Sequence, residues 1–260
     1  MAVPVLRPLE TGEVLDVSFG LYRALFSPLV IVAAVSRTLP LLLNLYLQPT
    51  STEPMANYSM MVERWPLWLL WLGLTMLATA FAVASTTSIV SAAYLGEAVA
   101  PDVALLRATG VIGRLIVVSL LTSIAVALGF IVLVVPGLVL LSGLALSSVA
   151  LVLEPGMGPV EAMSRSWALT SGSRGKVFIT LFVAWLFLFV PTFVVGLIAA
   201  IGMMVGQWPV LVSAIMTGIL QIFAVPFMYV VVTVLYYDLR VRKEGYDLEL
   251  LAAAATQSAG

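Results

Sequence analysis

Neither cysteine nor histidine occurs in this chain of 260 residues. The first absence excludes disulfides, thiolate metal sites and thiol nucleophiles. The second removes the commonest general base, the commonest metal ligand and the usual axial ligand of haem-like pigments. Charge is scarce too: Asp, Glu, Lys and Arg make up 10% of the chain, and the net charge of −1 argues against a nucleic-acid partner. The alternating segments of about ten residues that mark a membrane β-barrel are missing. The 14 prolines and 19 glycines are spread out, so no stretch reads as a flexible linker.

What is there instead is apolar sequence, 62% of all residues. Its runs are apolar on every face, as helices in lipid must be. A hydrocarbon core takes roughly 20 apolar residues per helical span. On that scale the sequence predicts an all-α polytopic membrane protein, a single domain over residues 1–250. The spans fall at about 28–48, 66–94, 115–135, 137–153, 177–204 and 209–237, and a disordered tail is expected over 251–260. Pro28, Pro66, Pro136 and Pro209 stand at span starts, where a missing N–H costs nothing. The first sixteen residues carry Arg7, Glu10, Glu13 and Asp16, so the first span is expected to act as an uncleaved insertion signal.

The positive charges orient the chain. With the N-terminus inside, the cytoplasmic segments hold Arg7, Arg23, Arg107, Arg114, Arg165, Arg174, Lys176, Arg240, Arg242 and Lys243. The outer loops hold Arg64 alone, and Arg37 lies within a span. Lys and Arg favour cytoplasmic loops, so both termini are expected in the cytoplasm.

Each odd-numbered span is preceded by an amphipathic segment. The first, from Thr11, puts Val14, Leu15, Ser18, Phe19, Tyr22, Leu25 and Phe26 on one face. The second opens at Pro101-Asp102 and breaks at Gly110. The third opens at Pro159, carries Val160, Met163 and Trp167 on one face, and stops at Gly172 in the manner of a helix C-cap. The expected architecture is three hairpins, each entered through a cytoplasmic interfacial helix. These helices read either as a collar for a partner or lipid, or as ordinary anchors of their hairpins.

Several of these segments resemble one bacterial membrane family. They are Arg165-Ser-Trp-Ala-Leu-Thr-Ser-Gly172, the stretch Tyr236-Tyr-Asp-Leu-Arg240 with its continuation to Glu249, Ala93-Tyr-Leu-Gly-Glu97, and Thr11-Gly-Glu-Val-Leu-Asp16. They are similar to the membrane domain associated with glycerophosphoryl diester phosphodiesterases, which also occurs as stand-alone proteins of uncharacterised function. The resemblance implies the fold. In fused members a separate barrel carries catalysis through histidines and acidic metal ligands. This sequence has no histidine and no stretch for such a barrel, so the activity is not carried over.

Arg37 is the sharpest candidate site, because an ionisable group in mid-span defaults to a functional hypothesis. Its candidate companions are Gln221, near the middle of the last span, and the hydroxyls of Thr86, Thr87 and Ser88. An anion or headgroup site is one reading; an arginine satisfied by carbonyls freed at Pro40 is the other. Arg165, Trp167, Asp238 and Arg240 form a candidate cytoplasmic contact surface. Pro191 and Pro226 fall inside spans and read as kinks or as broken helices around a site. Gly202 and Gly206 form a small-xxx-small pair. Two phosphate-loop look-alikes fail: Gly172–Val177 lacks the first glycine and the closing Ser or Thr, and Gly156-Met-Gly158 lacks its third glycine.

No nucleophile–base pair, metal cluster or cofactor fingerprint is visible, so no catalytic, cofactor or metal residue is expected. The expected function is that of a structural or accessory membrane subunit packing against lipids or other membrane proteins, with the oligomeric state open. The alternative is a small permease or lipid-handling protein using a polar pocket around Arg37 and Gln221.

Overall fold

A computed structural model describes residues 7–48, 54–96, 109–202, 208–246 and 248. Every element among them is an α-helix. In chain order they are α1 (Thr11–Ala24), α2 (Phe26–Leu47), α3 (Pro54–Glu63), α4 (Trp65–Tyr94), α5 (Ile112–Val132), α6 (Val134–Leu144), α7 (Ser147–Leu153), α8 (Pro159–Thr170), α9 (Arg174–Gly202) and α10 (Trp208–Glu244). Six stretches are long and apolar enough to cross a membrane: α2, α4, α5, α6 with α7, α9, and α10 from Val212. This is a multi-pass membrane protein. The segment opening at Pro101 lies outside the described residues up to Thr109, as do Gly206 and the tail from 249.

Local sequence sets the helix ends. Pro66, Pro159 and Pro209 lie within the first two residues of α4, α8 and α10, and Pro28 and Pro136 within the first turns of α2 and α6. Their missing N–H groups fall where no intrahelical acceptor exists. The turn between α5 and α6 sits at Leu133, which is extended at φ −167 and ψ 161, so Pro136-Gly137 is helical instead of forming the turn. Gly172, at φ +74, ends α8 in the left-handed conformation that only glycine adopts without strain.

Glycines also decide how closely helices approach. A Cβ on Gly129 would lie 3.0 Å from the backbone of Gly137, so α5 and α6 cross in near backbone contact. A Cβ on Gly143 would meet the Trp167 ring at 2.5 Å, which seats α8 on α6.

The amphipathic helices do not lie free of the bundle. The Leu9 N–H, just before α1, donates to Asp238 at 2.7 Å, and the Tyr22 hydroxyl donates to the Phe223 carbonyl at 2.6 Å. Those two α10 positions are about 22 Å apart at 1.5 Å per residue, the length of α1 itself. Hence α1 runs antiparallel along α10, with Val14 and Ser18 buried and Phe19 and Tyr22 edge-on to Phe227. Likewise α8 doubles back beside α7 and α6. The Ser166 hydroxyl donates to the Gly143 carbonyl at 2.8 Å and accepts from the Leu146 N–H at 3.1 Å.

The main core gathers Leu29, Val32, Val90, Tyr94, Leu146, Val234 and Leu235 around α10. It lies toward one end of the bundle, where most of the charges also collect. Toward the other end the helices separate. Only 6% of the apolar window of α9 is buried inside the protein, and Phe189, Phe193, Leu197 and Ile201 are exposed.

Candidate functional site

A cavity of about 410 Å³ lies between α2, α4, α9 and α10. Arg37 and Gln221 both line it. Arg37 sits midway along α2, and below it Ser36, Val32 and Leu29 are buried with Val230 and Val234 of α10. That dry layer closes the cavity on the side of the charged end. From Arg37 the lining runs along α2 through Pro40, Leu41 and Asn44 to Gln48, just past the end of the helix. Spacings of three and four residues keep these positions on one helix face. On α10 the lining residues Ser213, Thr217 and Gln221 recur every fourth residue. Trp71 and Thr75 of α4 and Thr192 and Gly196 of α9 complete the walls.

The electrostatics are one-sided. The Arg37 guanidinium lies close enough to the Tyr229 side chain to interact with its hydroxyl. The ion pairs among the described residues do not include Arg37. A guanidinium carries five N–H donors, and a phenol accepts only part of that capacity. The remaining lining mixes amide and hydroxyl side chains with Pro40, Leu41, Trp71, Ala214 and two glycines. A half-buried cation without a carboxylate among the described residues, beside neutral polar groups, has the chemistry of an anion site.

Thr75 lines a second crevice as well, about 210 Å³ between α4 and α5, with Thr79, Ser119 and Ser123. The Thr75 hydroxyl is buried and has no hydrogen-bond partner within the protein. Thr86, Thr87 and Ser88 lie elsewhere, toward the charged end of α4. Thr86 and Thr87 are buried there, and the Ser88 hydroxyl donates to the Ala84 carbonyl at 2.8 Å. The structure thus joins Arg37 and Gln221 and leaves that hydroxyl cluster apart. It adds Asn44, Gln48, Thr75, Thr192, Ser213 and Thr217. A signal for some of them exists in the sequence: 213, 217 and 221 are polar at four-residue spacing within an apolar run, and 37, 44 and 48 share a face.

Arg165, Trp167, Asp238 and Arg240 are engaged with the protein itself. The Arg165 Nε donates to Glu154 at 2.7 Å, and its terminal nitrogens bind Glu244 in a fork. The Glu244 carboxylate first, and Glu154 with it, raises the Arg165 pKa above its ordinary value. Tyr236 donates to Glu154 at 2.5 Å, and Arg240 binds Glu244 and stacks on Tyr246. Trp167 is covered by the Arg174 guanidinium at 3.7 Å. Asp238 is fully buried, accepts from the Leu9 N–H, and pairs with Lys176 and Arg242. Both cations also donate to the Leu9 carbonyl. Beside this knot Glu13 is held down to about 2, by the Arg7 guanidinium first and then by the Glu10 N–H. Among the described residues, no group of three or more His, Cys, Asp or Glu is placed to hold a metal ion.

Fold and site together define a multi-pass helical membrane protein with a polar cavity among its apolar helices. Comparison with protein-family models, curated proteins and solved structures finds no match to this chain.

Proposed function

We propose that this protein holds an anionic ligand within the membrane, in the cavity based at Arg37, and handles it without catalysing a reaction. One observation carries this reading: a guanidinium with no carboxylate partner among the described residues lines a cavity of about 410 Å³ together with amide and hydroxyl side chains. Leaving a cation so placed is costly unless an anion joins it. The dry layer beneath Arg37 supports a one-sided binding pocket over an open pore. The protein is placed by this reading in the bacterial inner membrane with both termini cytoplasmic, as a stand-alone relative of the phosphodiesterase-associated membrane domain. The cavity then faces the outer half of the bilayer.

A second reading, an accessory subunit packing laterally on other membrane proteins, is favoured by α9. Its row Phe178, Phe182, Trp185, Phe189 and Phe193 stacks ring on ring along a helix that is little buried.

The test is native mass spectrometry of the protein purified from its own membrane in neutral detergent, beside Arg37→Gln. The expected result is an acidic adduct on the wild type that Arg37→Gln loses. A wild type free of any anionic adduct, or equal occupancy in both proteins, overturns the proposal.

A further inference from the structure

The geometry points to a membrane lipid as the ligand: an anionic phospholipid whose headgroup enters sideways between α9 and the α2–α4 pair and docks its phosphate on Arg37. This rests on the anion-site reading above and goes on to name the ligand class. Four observations carry it.

The first is the missing wall. Helices α2, α4 and α9 all line the cavity, yet among the described residues α9 packs along α10, α6 and α1 and makes no extensive contact with α2 or α4. The gap faces the surroundings of the bundle, which for helices this apolar are lipid. The second is the surface beside the gap. Leu72 and Met76 of α4 and Phe193 and Leu197 of α9 are exposed, so an acyl chain finds apolar side chains on both sides. The third is size. About 410 Å³ lies at the small end of ligand pockets, enough for a headgroup while the chains stay outside.

The fourth is the order of the lining. Arg37 supplies charge at the closed end, while Asn44, Gln48, Gln221 and Thr217 supply neutral donors and acceptors above it. A phosphate therefore goes deepest, and the polar groups it carries point toward Gln48.

The experiment uses the full chain in nanodiscs holding equal amounts of an anionic and a zwitterionic phospholipid with identical chains. Lipids retained after release into neutral detergent are counted by native mass spectrometry. Charge-assisted hydrogen bonds are strong enough for a preference of about tenfold or more for the anionic lipid. Arg37→Gln is expected to bring that preference to near unity. Gly196 lines the cavity and a Cβ there would meet nothing within 4 Å, so Gly196→Leu is chosen to narrow the gap, with an unchanged melting temperature as the check that the fold accepts it. It is expected to cut retention of the anionic lipid about tenfold while Arg37 stays in place.

Retained anionic lipid that depends on both Arg37 and Gly196 supports the proposal. If inorganic phosphate raises the melting temperature of the wild type but not of Arg37→Gln, and no lipid is retained, the anion site stands and the lipid is overturned. Unchanged lipid preference in Arg37→Gln overturns both readings. Unchanged retention in Gly196→Leu overturns the sideways entry.

Discussion

At the scale of single residues, Asp238 and Tyr22 do for the fold what Arg37 does for the cavity. Asp238 is a buried carboxylate whose two oxygens hold Lys176, Arg242 and the backbone N–H that precedes α1. Replacing it by Asn leaves two cations facing a neutral amide. The expected cost is about 3–5 kcal/mol, as for breaking a buried pair, read as the shift of an SDS- or heat-unfolding curve in mixed micelles. Tyr22 meets a different need. Pro226 has no N–H for the Ile222 carbonyl, and its ring disturbs the turn next to Phe223. The Tyr22 hydroxyl caps the Phe223 carbonyl there. Tyr22→Phe keeps the ring contacts with Phe26 and Phe227 and loses only the bond, so a loss of about 1 kcal/mol is expected by the same unfolding measurement.

At the scale of helices, small residues matter by what faces them. A Cβ on Gly137 would lie 2.5 Å from the Phe130 ring, and Gly129 opposite it admits no side chain without moving the α6 backbone. Gly73 sits exposed in the interior of α4 with nothing within 4 Å of a new Cβ. Thus Gly129→Ala is expected to destabilise by about 1–3 kcal/mol through overpacking, and Gly73→Ala to stabilise by up to about 1 kcal/mol through helix propensity. Equal effects from the two in a thermal-unfolding comparison would contradict this account of the α5–α6 crossing. The helix α3, in the loop between the first two spans, also belongs to this scale. At ten residues it is too short for a run of bilayer length to announce it. Its Tyr58, Met60 and Met61 border a further cavity with Leu47, Gln48 and Trp68.

At the scale of the whole molecule, the bundle is tight and charged at one end and open and apolar at the other. The charged end is closed by two networks, one around Asp238 and one around Arg165, Glu154 and Glu244. The segments Arg165–Gly172 and Tyr236–Glu244 supply much of both. The absence of native cysteine makes orientation directly measurable. With Tyr58→Cys on exposed α3, a membrane-impermeant maleimide is expected to label intact spheroplasts from outside. A cysteine at Lys243, next to the charged end, is expected to react only after lysis. The reverse pattern would invert the proposed topology and turn the Arg37 cavity toward the cytoplasm.

What the sequence determined by itself was the medium and the elements. Apolar runs of fixed length cannot be folded away in water, and the helix starts follow from prolines whose φ and missing N–H act locally. Gln221 was legible as a partner for Arg37 because both are rare polar groups at mid-span. The tertiary structure decided the rest. Whether Thr75 or the Thr86–Ser88 cluster joins Arg37 depends on which turn of α4 passes it, and that is set by long-range packing at Gly218 against Leu41 and in the core around Val90 and Val234. Amphipathicity placed one face of α1 against something apolar, and only the fold decided that this was α10, because a lipid surface and a helix groove reward the same face. In α8 the fold chose a different face from the apolar one: Ala162, Ser166, Leu169 and Thr170 are buried, while Val160 and much of Trp167 stay exposed.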